Sequence, residues 1–119
     1  MIQIFGTAKC KQTRAAERFF KERAVAIQSI DLAIKGPSKG ELESIARAVG
    51  GLKALFDAAS PRAKDKGLHV AAPSESRLLE LFLEEPRLLR TPIVRDGAEA
   101  AVGEASGLWK KFAERAKGR

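Results

Sequence analysis

The sequence predicts an α/β fold: a small mixed β-sheet with helices on both faces. Three observations carry this expectation: a β-α-β opening, a middle run of helical segments, and a β-β-α close. At 119 residues the chain has the length of one domain with room for one core. Hydrophobic residues at 45% and charged residues at 31% place it among folded globular chains rather than disordered ones.

Ile2, Ile4 and Phe5 give a β-like start, stopped by Gly6-Thr7-Ala8. From Lys11 to Arg23 the pattern turns helical. Ala15, Ala16, Phe19 and Phe20 form one apolar stripe, and Lys11, Arg14, Arg18 and Lys21 occupy the other faces. Val25 to Ile30 reads as a second strand, bounded by Asp31. Ser38-Lys39-Gly40-Glu41 is a capping box that opens a helix carrying Leu42, Ile45, Ala46 and Val49 and stopping at Gly50-Gly51. Leu52, Leu55 and Phe56 look like a buried turn. Ser60-Pro61 starts a short helical piece closed by Gly67, and Ser74 caps another helix that Pro86 ends. Pro92 to Arg95 and Ala98 to Val102 read as a hairpin, with Asp96-Gly97 supplying the positive-φ turn residues. A terminal helix begins at Ser106, carries Leu108, Trp109 and Phe112, of which Trp109 and Phe112 are expected to pack it on the sheet, and is expected to fray from Glu114. The expected organisation is a single domain over residues 1–119, with an inserted helical segment at about 38–85.

No apolar run approaches the ~18 residues of a membrane span, and MIQIFGTAKC lacks the pattern of a signal peptide. A cytoplasmic protein with no membrane partner is the expectation. One cysteine, Cys10, excludes an internal disulfide and a thiolate metal cluster. With His69 as the one histidine there is no Cys/His set for a structural zinc, so no metal and no bound cofactor are expected.

Cys10 falls between the first strand's loop and the first helix. Unpaired backbone N–H groups and the positive end of the helix dipole favour an anion there. Lys9, Lys11 and Arg14 add positive charge nearby. Together these are expected to lower the thiol pKa and favour the nucleophilic thiolate. A free cysteine also packs as a small apolar residue, but this position and these neighbours favour reactivity.

The order of elements is that of the thioredoxin fold. The segment from Phe5 to Arg14, with Cys10-Lys11-Gln12-Thr13 followed by Arg14, resembles the arsenate reductase ArsC/Spx family. The resemblance continues at Leu55-Phe56, at Glu85 to Val94, and at Val102-Gly103, and so spans essentially the whole chain. It implies a cis bond at Thr91-Pro92 facing Cys10. It also implies that a resolving cysteine would stand at Thr13, so a mixed disulfide on Cys10 needs an outside thiol, glutathione or glutaredoxin, to release it. The catalytic candidates are Cys10, Thr13 and Arg14, with Thr13 donating a hydrogen bond to the thiolate. Lys11, Arg90, Thr91 and Pro92 are the candidates for holding the substrate or partner thiol. The family's oxyanion arginines are not matched: Asp57, Thr91 and the stretch Ala101 to Gly103 stand in their places, although Arg90 is adjacent to the second. This argues against arsenate as the substrate.

Lys and Arg total 22 against 15 Asp and Glu, a formal surplus of seven positive charges. Six basic residues lie between positions 9 and 23 and five between 110 and 119. Without tyrosine, a stacking motif or a helix-turn-helix pattern, these clusters read as solvated helix faces and not as a direct nucleic-acid site. Arg62, in the loop after Ser60-Pro61, is within reach of the active face although the sequence does not place it. His69, in a loop after Gly67-Leu68, reads as a surface or hydrogen-bonded residue rather than a catalytic base. The leading expectation is a thiol-dependent oxidoreductase using Cys10, with glutathione as co-substrate. The alternative is an Spx-like redox-responsive regulator that binds RNA polymerase or another protein without catalysis. A chain that has lost the chemistry and kept the fold is the third.

Overall fold

The computed structural model describes residues 1–118; Arg119, counted above in the C-terminal basic stretch, lies outside the described residues. Strands β1 (Ile2–Gly6), β2 (Ile27–Asp31), β3 (Ile93–Asp96) and β4 (Glu99–Val102) form one sheet in the order β2-β1-β3-β4. The β1–β2 pair is parallel, while β1–β3 and β3–β4 are antiparallel. Helices α1 (Lys11–Glu22) and α5 (Ser106–Lys117) pack on one face of the sheet; α2 (Lys39–Val49), α3 (Pro61–Asp65) and α4 (Glu75–Glu84) contribute to the core on the other.

Two cores follow from the alternation of strand side chains. Ile2 and Ile4 join Ala16, Phe20, Val94, Trp109 and Phe112 beneath α1 and α5. Phe5 and Ile93 point the other way, into Leu42, Ile45, Leu78 and Phe82. The edge-to-face contact of Phe19 with Trp109, 5.7 Å between centroids, ties α1 to α5.

Helix boundaries in the middle segment sit where the sequence chemistry sets them. Ser38 and Glu41 exchange both bonds of the capping box, and Gly50, at φ +94°, ends α2. The hydroxyls of Ser60 and Ser74 cap α3 and α4.

Three boundaries differ from expectation. Strand β2 starts at Ile27 rather than Val25, because residues 23–25 close α1. Ala24 adopts φ +56°, the Val25 N–H bonds Phe20 O at 3.0 Å and the Ala24 N–H bonds Lys21 O at 3.0 Å. These are the two hydrogen bonds of a Schellman motif, with alanine at the left-handed position. In the hairpin, Asp96 is a strand residue paired with Glu99, and the loop is Gly97-Ala98. Only Gly97 has positive φ, at +63°, so glycine fills the first loop position of a II′-type hairpin. Asp96 is instead buried, accepting a 2.8 Å bond from Arg115. That ion pair explains the third difference: α5 stays helical to Lys117, since Arg115 is anchored to Asp96 and Glu99.

Candidate active site

Strand β1 ends at Gly6, and three residues of loop carry the chain to Cys10 at the N-cap of α1. The Cys10 N–H bonds Thr7 O at 3.1 Å and its carbonyl accepts the Arg14 N–H at 3.2 Å, so the backbone there is fixed from both sides. Glycine is required at position 6: a Cβ built there would overlap the Thr13 side chain. That close approach seats Thr13, 5% exposed, directly under the loop.

The Cys10 thiol donates to the Thr91 carbonyl at 3.8 Å. Thr91-Pro92 is a cis peptide, as the resemblance implied. The segment holding it is itself tied down, with the Arg90 N–H on Leu55 O and the Gly103 N–H on Pro92 O, both at 2.8 Å.

Half-burial raises the thiol pKa, but donors overcome it: the side chains of Thr13 and Thr91 and the backbone N–H groups of Thr13 and Gln12 bring it below the ordinary cysteine value. The direction matches expectation, and so do two of its causes, the helix-start N–H groups and the Thr13 hydroxyl; the expected share of nearby charge does not appear. Hydrogen-bond donors carry the shift, rather than the charges of Lys9, Lys11 and Arg14. The Thr13 hydroxyl has no hydrogen-bond partner among the described residues in the thiol form, yet it lowers the pKa. Both observations follow if its bond is made to the charged sulfur.

Cys10 opens into a cavity of about 810 Å3, a size suited to a small ligand, with Lys9, Asp31, Arg62, Arg87, Leu89 and Thr91 on its walls. Of the residues expected to act on substrate, Thr91 is therefore placed beside Cys10, while Pro92 is buried and does not line the cavity. Arg14 is not on the cavity wall. It is exposed and donates to Ala8 O at 2.7 Å, bracing the loop from outside. Lys11 is exposed on α1 and lines none of this cavity. Arg90 lines an adjoining hollow of about 270 Å3 together with Gln12, Asp57 and Arg87.

Two cations that sequence reasoning did not assign face the cysteine's cavity instead. Arg62 comes from the first turn of α3, and Arg87 from the 3-10 turn that follows α4. For Arg62 the sequence signal was its place just after Ser60-Pro61; for Arg87 it was the run Glu85-Pro86-Arg87, in which a helix-ending proline separates opposite charges. Among the described residues, no three of His, Cys, Asp or Glu gather as metal ligands, and no helix is long and apolar enough to cross a membrane.

Residues 5–112 match the model of the ArsC family. The chain belongs to that family. The global transcriptional regulator Spx 2 of Oceanobacillus iheyensis is 32% identical over 103 residues, covering 86% of this chain and 76% of the regulator. An arsenate reductase of Neisseria meningitidis is 29% identical over 104 residues, covering 86% of this chain and 89% of the reductase. In three dimensions an arsenate reductase from Vibrio cholerae superposes with a TM-score of 0.79 at 22% identity, covering 93% of this chain and 96% of that one. The fold is thus the thioredoxin-like fold of ArsC proteins. Within this ArsC-family chain, three of the four departures noted in the sequence bear on the site. Thr13 is buried under the cysteine, Asp57 is exposed at the adjoining hollow, and Thr91 presents its carbonyl to the thiol.

Proposed function

We propose that this ArsC-family protein is a monothiol oxidoreductase. The Cys10 thiolate attacks one sulfur of a disulfide; a Cys10–S–S–R bond forms, the original S–S bond breaks, and the second sulfur leaves as a thiolate and takes a proton from water. Glutathione, or the thiol of glutaredoxin, then attacks the mixed disulfide and returns Cys10 to the reduced state. The observation that carries this reading is the lowered pKa of a thiol that opens into a cavity. Thr13, Thr91 and the first backbone N–H groups of α1 stabilise the attacking anion, while Arg14 positions the loop. No bound cofactor is required, and glutathione serves as co-substrate. Such a cycle suits a reducing compartment, the cytoplasm.

The test is turnover of hydroxyethyl disulfide with glutathione, together with mass analysis of Cys10. The expected result is a Cys10–glutathione adduct and turnover that Cys10→Ser abolishes; equal turnover in Cys10→Ser would refute the reading. Arsenate reduction is expected to be absent, because the carboxylate of Asp57 stands where the resemblance calls for an arginine.

The similarity to Spx 2 favours a second reading, a redox-responsive regulator that binds RNA polymerase. Recovery of RNA polymerase equally by the wild type and by Cys10→Ser, with no disulfide turnover, would favour it over the first.

A further inference from the structure

The charge around the cavity does not come mainly from the cysteine's own helix. Its walls carry three cationic side chains, Lys9, Arg62 and Arg87, against the carboxylate of Asp31. Asp31 is engaged as the acceptor of the Ala33 N–H at 2.9 Å. Arg62 and Arg87 arise from different elements yet meet at one group, Glu85, with N–O distances of 3.9 Å and 3.1 Å. Burial of the Glu85 carboxyl works to raise its pKa, but the Arg87 hydrogen bonds and the charges of Arg87 and Arg62 hold it below the ordinary carboxylate range. Glu85 is therefore ionised at neutral pH and holds the two guanidiniums in one frame.

A single carboxylate leaves one of those two charges uncompensated. It also leaves donors unused. Arg87 spends its Nε on Glu85, and Arg62 makes only the long ion pair, so among the described residues their other N–H groups have no acceptor. Planar donors fixed on the wall of a cavity match a carboxylate, which accepts two parallel bonds from an arginine.

We propose that Arg62 and Arg87, framed by Glu85, bind a carboxylate of the disulfide that Cys10 attacks, so that the site selects small acidic disulfides over neutral and cationic ones. This proposal rests on the reading of Cys10 as the attacking thiolate. The exchange is the one written above, with the acidic disulfide as oxidant. The arginines take no proton and form no covalent bond. They raise the local concentration of an anionic substrate and orient its scissile sulfur towards Cys10.

The experiment compares rates of Cys10 thiolation by glutathione disulfide, which is anionic, by hydroxyethyl disulfide, which is neutral, and by cystamine, which is cationic. The quantity read is the ratio of the glutathione disulfide rate to the cystamine rate within each variant, so changes in the intrinsic reactivity of the thiol cancel. In Arg62→Gln/Arg87→Gln the ratio is expected to fall about fivefold. It should also fall in the wild type as salt is added. Arg62→Lys/Arg87→Lys keeps both charges but loses the planar fork, so its ratio should fall between those of the wild type and the glutamine variant. An unchanged ratio in the glutamine variant, or an undiminished one in the lysine variant, overturns the assignment. Failure of the underlying reading looks different: Cys10 would then react with neutral hydroxyethyl disulfide no faster than a thiol in the urea-unfolded chain.

Discussion

At the scale of single residues, the chemistry turns on donors within reach of one sulfur. Because the Cys10 pKa is lowered, its alkylation rate should climb with pH through a midpoint below that of an ordinary cysteine and level off above it. Thr13→Val removes a buried hydroxyl of nearly the same volume and moves the midpoint upward. A hydrogen bond to a charged group is worth roughly 1.5 kcal/mol, about tenfold in thiolate population. The more basic thiolate is intrinsically more nucleophilic and recovers about a factor of three, so alkylation at pH values below both midpoints should slow about threefold. Stopped iodoacetamide reactions across pH measure both effects; an unmoved midpoint would show that Thr13 serves only to fill space. The place of Cys10 at a helix start, with Thr13 and free N–H groups in the first turn, was legible in the sequence, because these are local features. The contribution of Thr91 to the pKa shift was not. Charge can be counted from a sequence, whereas Thr91 meets Cys10 across 81 positions of chain.

At the scale of elements, side-chain caps and glycines were readable before the fold, and left-handed residues other than glycine were not. The capping box of α2 and the serine caps of α3 and α4 need only short-range chemistry. The closure of α1 depends on Val25 being drawn into the core beside Phe20, which forces Ala24 to a positive φ. An alanine in this conformation costs about 1 kcal/mol. Ala24→Gly should therefore stabilise the protein by about 0.5–1 kcal/mol, after allowing for the greater freedom of glycine in the unfolded chain. Urea denaturation measures it, and a lower midpoint would contradict the strain assigned to this turn. The hairpin repeats the lesson in reverse: Asp-Gly looked like a turn pair, but burial and the Arg115 partner claimed Asp96 for the strand.

Over the whole molecule, the positive surplus separates into structural and site-directed shares. Arg115 anchors α5 through Asp96 and Glu99, with Lys111 3.7 Å from Glu99. Arg23 lies 3.6 Å over the Phe19 ring, and Arg14 braces the active loop. The cations that converge with Cys10 come from three separate stretches: Lys9 in the loop, Arg62 in α3 and Arg87 after α4. Topology assembles them, so their convergence could not be read from clustering along the chain. The fold was legible because strand alternation and helix caps agree with it at every step. The far wall of the site was not, because no local pattern marks which loop cation will face a cysteine.

One consequence concerns the position of Cys10 itself. As a thiol it caps α1 with no side-chain hydrogen bond to the helix, at a place where serine or aspartate would supply one; only the thiolate draws in the Gln12 and Thr13 N–H groups. In its protonated form the thiol is thus held at the expense of helix stability. Cys10→Ser, which removes the chemistry, should raise Tm by about 2–4 °C in a thermal melt at acidic pH, where the thiol is protonated, and by less as pH rises. Keeping the thiol would then cost the fold the stability that one oxygen in place of sulfur gives, a trade-off between activity and stability written at a single atom.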